Sequence, residues 1–316
     1  MALWQIMCIW FLGVRLLLLL EEQKLAMSVT LPGIQFREIS EFDVGDVAKL
    51  LRKGFPSRSL QFWLTRLDLL GGTPTPIGCP KYGYILKSEG VPVGVVLTVS
   101  SKRYVNNCHL TQCNLSAWYV EPAYRSYAAL FAAKAWKQKD FIYLNIDPAV
   151  HTRPTIEAQG FKRFSHGQFI AIPSLSPARG ERAVAVTRVG AKSCTPCTSQ
   201  YHDLLTDHEK YGCLSLYCVE GNFSYPFVFR RRMLKRFIPC AQLIYCREID
   251  DVVRFARPLG RFLASRGEMF MLIDSNGPIS GLFGMYLKHY MPKYFKGPAA
   301  PPLGDLAYTE VALFGV

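Results

Sequence analysis

The chain has 316 residues, half of them hydrophobic, with 37 basic and 24 acidic side chains and a formal net charge of +13. This composition excludes a disordered, collagen-like or low-complexity protein and leaves room for two ordinary domains. The charge favours a polyanionic partner: nucleic acid, an anionic membrane surface or a nucleotide-like cofactor. Ten scattered cysteines without a secretory signal predict a reducing, cytoplasmic location with mostly free thiols.

Residues 1–33 form an apolar N-terminal extension. Its run at 2–20 is broken only by Arg15 and is long enough to cross a bilayer. No basic residue precedes the run and no small-residue cleavage site follows it, so we expect no signal peptide. A membrane anchor and an upstream extension of a coding sequence that starts at Met27 both remain open. We favour the extension, because an arginine inside a membrane span is costly, and expect membrane binding only if residues 2–20 are retained as an anchor.

Hydrophobic periodicity predicts alternating strands and helices through residue 172. A turn-rich stretch at 88–92 predicts a hairpin. In chain order the predicted elements are a strand at 34–39, helices at 41–53 and 60–70, strands at 81–87, 93–100 and 108–120, a helix at 126–137, a strand at 141–146, a short helix, and a strand at 168–172.

The most informative stretch is the strand, helix, strand unit at 114–161. Its first turn precedes a helix, where free backbone N–H groups and the helix dipole suit a phosphate or pyrophosphate. The stretch contains Val120, Pro122, Tyr124 and Arg125, and later Gly160 and Phe161. In order and spacing these residues resemble the signature of the GNAT superfamily of acyl-CoA-dependent acyltransferases.

The resemblance covers residues 34–173 and implies an α+β fold, a mixed, mostly antiparallel sheet flanked by helices. It also implies an N-acyltransferase that binds acetyl-CoA or another acyl-CoA and acylates an amine, or a hydroxyl, of an unidentified small molecule or peptide. In this comparison the main chain near Tyr119 and Val120 would contact the pantetheine arm and the thioester carbonyl. The pyrophosphate would bind the turn made of Arg125, Ser126, Tyr127, Ala128, Ala129 and Leu130.

Acyl transfer also needs groups that accept and donate protons. The tyrosine that often serves as the acid in this family is replaced by Ile156. The catalytic candidates near the unit are Ser116, Tyr119, Asp147 and His151. His151 has a pKa suited to a general base, although a lone histidine in such a setting is more often a surface or capping residue. The alternative function is a non-catalytic module on the same fold that senses acyl-CoA or binds a partner.

Residues 174–200 are polar and rich in turn formers, which predicts a linker. Residues 201–316 resemble a partial repeat of the first domain. The echoes are Arg-Glu-Ile at 37–39 and 247–249, the hairpin at 86–96 and 273–283, and the strand at 114–120 and 310–316. We therefore expect a second, degenerate GNAT-like α/β domain that lacks the pyrophosphate-binding unit and either covers the acceptor side of the first domain or supports its sheet.

Two further patterns have simpler explanations. Cys194 and Cys197 with His202 and His208 give the ligand count of a zinc site, but histidines six residues apart lie about 120° from each other on a helix. Linker thiols without a metal are the favoured interpretation. The basic run at 229–237 suits nucleic acid, an anionic membrane or an adenosine phosphate. Nucleic-acid binding is not favoured, because no reading motif accompanies the run.

Overall fold

The computed structural model describes residues 33–105, 108–177, 184–188, 199–234 and 237–315. The apolar run at 2–20 and the pair Cys194 and Cys197 lie outside these residues. None of the helices in the described part of the chain has the length and apolarity that a bilayer crossing requires.

The first half follows the element order predicted from periodicity. Its first helix begins after a capping arrangement in which Ser40 Oγ and Ser40 N donate to Asp43 Oδ2 at 2.6 and 3.0 Å. The next helix begins at Ser59, whose side chain accepts from Phe62 N at 3.1 Å. The elements are β1 (Ile34–Glu38), α1 (Val44–Gly54), α2 (Leu60–Gly72), β2 (Gly83–Ser88), β3 (Val91–Val105), β4 (Cys108–Val120), α3 (Ala128–Ala135), β5 (Phe141–Asn145), α4 (Arg153–Ala158) and β6 (Lys162–Ala171).

The second half again alternates strands and helices. Its elements are β7 (Ala185–Arg188), α5 (Ser199–Lys210), β8 (Leu214–Glu220), β9 (Phe223–Leu234), β10 (Ile238–Cys246), α6 (Ile249–Arg254), α7 (Ala256–Ala264), β11 (Phe270–Ser275), β12 (Gly284–Lys296) and α8 (Glu310–Phe314).

The twelve strands of the described residues form one sheet in the order β1-β2-β3-β4-β5-β12-β6-β11-β10-β9-β8-β7. The two sides of this sheet correspond strand by strand, so that each strand of one half has a counterpart at the same distance from the centre. The central strands are exchanged, because β12 pairs with β5 and β6 pairs with β11. Parallel pairing occurs only between β4 and β5 and between β10 and β11, among the strands described. The expected mixed, mostly antiparallel sheet with flanking helices is confirmed.

This symmetry differs from the repeat predicted from the sequence. Strands β11 and β12 do not pair as a hairpin but lie on opposite sides of β6. Residues 310–314 form helix α8 rather than a strand. The counterpart of α3 is the helix pair α6 and α7, so the second half contains the strand, helix, strand unit that was expected to be missing. Residues 185–188, inside the stretch predicted as a linker, form the edge strand β7.

One hydrophobic cluster joins the two halves. It holds Leu51 of α1 and Leu67 of α2 together with Leu205 of α5 and Leu313 and Phe314 of α8. Separate clusters form under α3 and under α7. Because the shared cluster includes α8, this short helix is packed against the first half as well as the second.

Candidate functional site

The parallel strands β4 and β5 separate in the middle of the sheet. Their pairing runs from Thr111 opposite Phe141 to Asn114 opposite Leu144 and then ends. Asn114 marks the point of separation, since its Nδ2 donates to Leu115 O and to Leu144 O, each at 3.3 Å. Beyond it, β4 continues to Val120 without β5 at its edge.

A β-bulge lies in this unpaired part of β4. Leu97 of β3 is opposite Ser116 and Val95 is opposite Tyr119, so one residue of β3 faces two residues of β4. One of the two, Ala117, has φ of +43°, a conformation that non-glycine residues adopt rarely and usually where the fold or a site requires it. The bulge interrupts the ladder at the mouth of the split.

A cleft of about 320 Å³ opens at the split. Its size falls at the lower end of small-molecule sites. Strand β4, the turn after β5, the loop between α1 and α2, and helix α8 all contribute to its wall. The lining includes Ser116, Ala117, Trp118, Asn145, Asp147, Phe55, Ser57, Arg58, Glu310 and Phe314.

Glu310 brings a carboxyl group from the second half into this cleft. Its backbone N donates to Asn114 Oδ1 at 2.6 Å, and Ser116 Oγ donates to its Oε2. Nearby, Gln112 Nε2 donates to Ala307 O at 3.3 Å. Alternate residues of β4 therefore form hydrogen bonds with the C-terminal segment. In this position Glu310 is only 6% exposed to solvent.

The environment of Glu310 changes its acidity. Burial raises the pKa of its carboxyl to about 8, and the negative charge of Asp147 acts in the same direction. The hydrogen bond from Ser116 and the positive charges of Lys293 and Arg232 oppose the rise in pKa. Desolvation prevails, so the group holds its proton far more tightly than an exposed glutamate does.

Arginines from both halves hold the end of α8. Arg230 Nη1 donates to Ala312 O at 3.2 Å, and Arg66 Nη1 donates to Leu313 O at 3.5 Å. The helix stops at Gly315, whose φ of +69° suits glycine. These contacts satisfy carbonyl groups at the end of the helix and fix Glu310 relative to β4.

No protein-family model matches the chain, and no curated protein matches its sequence. Solved structures do share its architecture. It is similar to a GCN5-related N-acetyltransferase from Anabaena variabilis, at 9% identity and a TM-score of 0.57, over 83% of this chain and 72% of that one. It is also similar to a putative acetyltransferase from Pyrococcus horikoshii, at 10% identity and a TM-score of 0.53, over 89% of this chain and 95% of that one. A GCN5-related N-acetyltransferase from Kribbella flavida aligns at 14% identity and a TM-score of 0.54, over 83% and 70%. The chain has the GNAT fold.

The catalytic candidates predicted from the GNAT resemblance occupy different places. Ser116 and Asp147 line the cleft. The ring of Tyr119 packs on Gly54, where an added Cβ would lie 2.4 Å from Tyr119 Cγ, and is not part of the lining. His151 is exposed in the helical turn after β5, also outside the lining. The structure thus brings two of the four candidates to the cleft, and their catalytic roles stay predictions.

The turn expected to hold a pyrophosphate is a 3-10 helix, Pro122–Tyr127, which runs directly into α3. Tyr124 N donates to Glu121 O at 2.9 Å, and Ala128 N donates to Arg125 O. At least these N–H groups are therefore engaged inside the turn. Val120, just before it, is buried. The side chains of Arg125, Ser126, Ala129 and Leu130 are exposed, and those of Tyr127 and Ala128 are half-buried.

A second split of the same kind lies between β10 and β11. Their parallel pairing ends at Gln242 opposite Leu272. Gln242 Nε2 donates to Leu243 O at 3.3 Å and to Leu272 O at 3.4 Å, as Asn114 does in the first split. A bulge follows at Ile244. The second half therefore reproduces the strand geometry of the first half at this point.

The second split is closed by the chain itself. Leu306 N donates to Ile244 O at 2.7 Å and Cys246 N donates to Gly304 O at 2.9 Å, so residues 304–306 lie along the end of β10. The first turn of α6 carries Asp250 and Asp251, which disfavour an anion there. Of the two splits, the one between β4 and β5 is the open one.

The zinc-like and basic patterns have structural roles where they are described. His208 is buried, with Nδ1 2.6 Å from Leu204 O and Nε2 accepting from Tyr308 N at 3.1 Å. Burial lowers its pKa to about 4. No cluster suited to a metal occurs among the described residues. In the basic run, Arg230 binds main-chain carbonyls of the second half.

Glu310 is the site residue that the sequence analysis missed. Thr309 before it and Gly315 after it are common helix start and stop residues, and they indicate a short helix in the run at 310–314. A carboxylate inside an otherwise apolar run also indicates a buried acidic group. Its contact with Ser116 joins residues 194 positions apart, which no local pattern shows.

Proposed function

We propose that the chain transfers an acyl group from acyl-CoA to an amine in the opening between β4 and β5. The observation that carries the proposal is the split itself, with a bulge in β4 and a cleft beside it. A pantetheine arm contains amide groups, and the unpaired edge of β4 at residues 115–120 can bind them as a neighbouring strand would. The acetyltransferase names of the GNAT structures similar to this chain support the same reaction class.

The thioester would lie beside the main chain of Tyr119 and Val120, and the pyrophosphate would bind at residues 125–130. Arg125 is exposed there and makes no ion pair with any described residue. A guanidinium group matches the geometry and the charge of phosphate oxygens. Since some N–H groups of the turn already donate within it, Arg125 carries a large share of the expected attraction.

The acceptor would enter on the side where α1 and α2 meet. Asp147 lies exposed in the cleft lining and attracts a protonated amine toward the thioester. Ser116 lies deeper, bonded to the buried carboxyl of Glu310. An acyl-CoA sensor without catalysis needs no such buried carboxyl, so the lining supports an enzyme over the non-catalytic alternative.

Calorimetric titration of the full chain with acetyl-CoA, a long-chain acyl-CoA and free coenzyme A tests the proposal. We expect binding of at least one acyl-CoA, and release of free thiol when a panel of amines is added. The absence of binding by all three would refute the proposal.

The cofactor position is tested by Arg125→Glu with Arg261→Glu as the matched control. Both arginines are exposed, and both substitutions change the net charge equally, but Arg261 lies on α7 in the second half. We expect Arg125→Glu to weaken binding of acetyl-CoA by at least about tenfold. A tenfold loss corresponds to about 1.4 kcal/mol, which is a modest share of the free energy of an arginine–phosphate contact. Equal weakening in the control would show that only the overall charge matters.

A further inference from the structure

We propose that Glu310, contributed by the second half of the chain, carries the proton that the acceptor amine releases. The inference rests on the acyl transfer proposed above and adds a residue to that site. The carboxyl of Glu310 lines the cleft beside Ser116, on the strand whose main chain would hold the thioester. The other carboxyl among the described lining residues, Asp147, is exposed and suited to attraction rather than to proton transfer in a dry site.

Glu310 is held at two points. Its backbone N is bound by Asn114 Oδ1, and the same Asn114 side chain bridges the strands where they separate. Its Oε2 accepts from Ser116, and no described residue donates to its Oε1. One carboxyl oxygen is therefore fixed and the other is left for a substrate. Such locking of the side chain is what a catalytic group needs.

The surroundings make Glu310 a strong proton acceptor. Burial dominates its acidity and brings its pKa to about 8, close to the range in which an amine proton is transferred efficiently. Positive charges nearby are too few to reverse this effect. Among the described residues, the charged groups that act on it or contact its helix are Asp147 after β5, Lys293 on β12, Arg232 on β9, and Arg66 and Arg230 at the carbonyl end of α8. Arg58 lines the same cleft.

The step balances without any further reactant. The neutral amine attacks the thioester carbonyl, so that a C–N bond forms and the carbonyl π electrons move to oxygen. The nitrogen then loses a proton to the Glu310 carboxylate. The C–S bond breaks as the carbonyl reforms, and the protonated carboxyl returns that proton to the leaving thiolate. The products are an amide and coenzyme A as its thiol, and Glu310 is regenerated.

The test compares the full chain with Glu310→Gln and with a matched control, Glu268→Gln. Glu268 is a second buried glutamate, 5% exposed, whose pKa burial also raises, but it lies outside the cleft lining. Thiol release from acetyl-CoA is measured with methylamine, benzylamine, spermidine and a lysine-containing peptide between about pH 6 and about pH 10. Calorimetry with acetyl-CoA and circular dichroism accompany each variant.

We expect Glu310→Gln to bind acetyl-CoA like the unaltered chain and to lose at least about 100-fold in kcat, the lower range for a general base. The rise of kcat/KM near pH 8 should also disappear in Glu310→Gln. Glu268→Gln should keep the kcat and the pH-dependent rise of the unaltered chain. Ser116→Ala provides an independent check, because loss of its hydrogen bond raises the pKa of Glu310 further and moves the rise to higher pH.

The outcomes separate the two proposals. If the unaltered chain binds no acyl-CoA, the proposed function fails. If it binds acyl-CoA but acylates no amine of the panel, the proposed transfer fails together with the role of Glu310, while the cofactor site stands. If it acylates an amine and Glu310→Gln keeps the rate and the pH profile, only the role of Glu310 is overturned. If Glu310→Gln does not fold, an unshifted pH profile in Ser116→Ala overturns the role instead.

Discussion

Replacing Glu310 by glutamine removes a titrating carboxyl from the interior but keeps an oxygen that can accept from Ser116. Burial raises the pKa of Glu310 from an ordinary 4.5 to about 8. The folded state therefore holds this proton over a pH range in which the unfolded chain has lost it. Stability from this group is present below about pH 4.5 and is lost as the pH rises to about 8. At 1.36 kcal/mol per pH unit, the loss approaches about 5 kcal/mol as an upper bound.

Urea unfolding of the full chain and of Glu310→Gln at intervals from about pH 5 to about pH 9 measures this loss. Glutamine does not titrate, so we expect the variant to gain stability relative to the unaltered chain as the pH rises to about 8, and the difference to level off above that. A difference that stays constant over the whole range would refute a buried, proton-holding Glu310. It would also remove the electrostatic support for its catalytic role.

Two further predictions concern packing and charge. Gly54→Ala should destabilise the chain by about 1 to 3 kcal/mol, because the new methyl group meets the ring of Tyr119. Gly45→Ala in the same helix is the control, because open space surrounds that position and no such loss is expected. Urea unfolding midpoints of the two variants test this, and equal midpoints would contradict the contact with Tyr119. Lys293→Met should cost about 3 to 5 kcal/mol by leaving the buried Asp274, 2.9 Å away, without its partner. Adding Asp274→Leu should restore much of that stability, and failure of the double variant to recover would show that the pair is needed for more than charge balance.

Much of the first half could be predicted from the sequence, because its information is local. The strand, helix, strand unit at 114–161 combines a period-2 strand, a proline turn and a helix stop within one short stretch. The hairpin of β2 and β3 is likewise encoded by adjacent turn residues. Ser116 and Asp147 could be named as candidates because Ser116 lies on the first strand of that unit and Asp147 follows the second.

The second half was harder, since its arrangement depends on contacts distant in sequence. A strand pattern does not state its partner, so nothing in residues 284–296 shows that they lie between β5 and β6. The run at 310–314 is apolar and short, and such runs fit a strand and a helix equally well. The Arg-Glu-Ile motif precedes a helix both at 37–39 and at 247–249, but the first copy ends β1 and the second follows β10. These two strands are not counterparts in the sheet, so the repeat predicted from the motif aligned the wrong strands.

The exchange of β6 and β12 determines when the molecule can be completed during synthesis. Strand β5 gains its second neighbour, β12, only after the ribosome has made everything from β6 to β11. Until then β5 and β6 of the nascent first half have unpaired backbone N–H and C=O groups along one edge, and these groups can pair with strands of other chains. The first half therefore cannot reach its final strand pairing before β12 has been made. Two fragments produced by dividing the gene between the halves would have to associate and exchange β6 and β12 before the twelve-stranded sheet was complete.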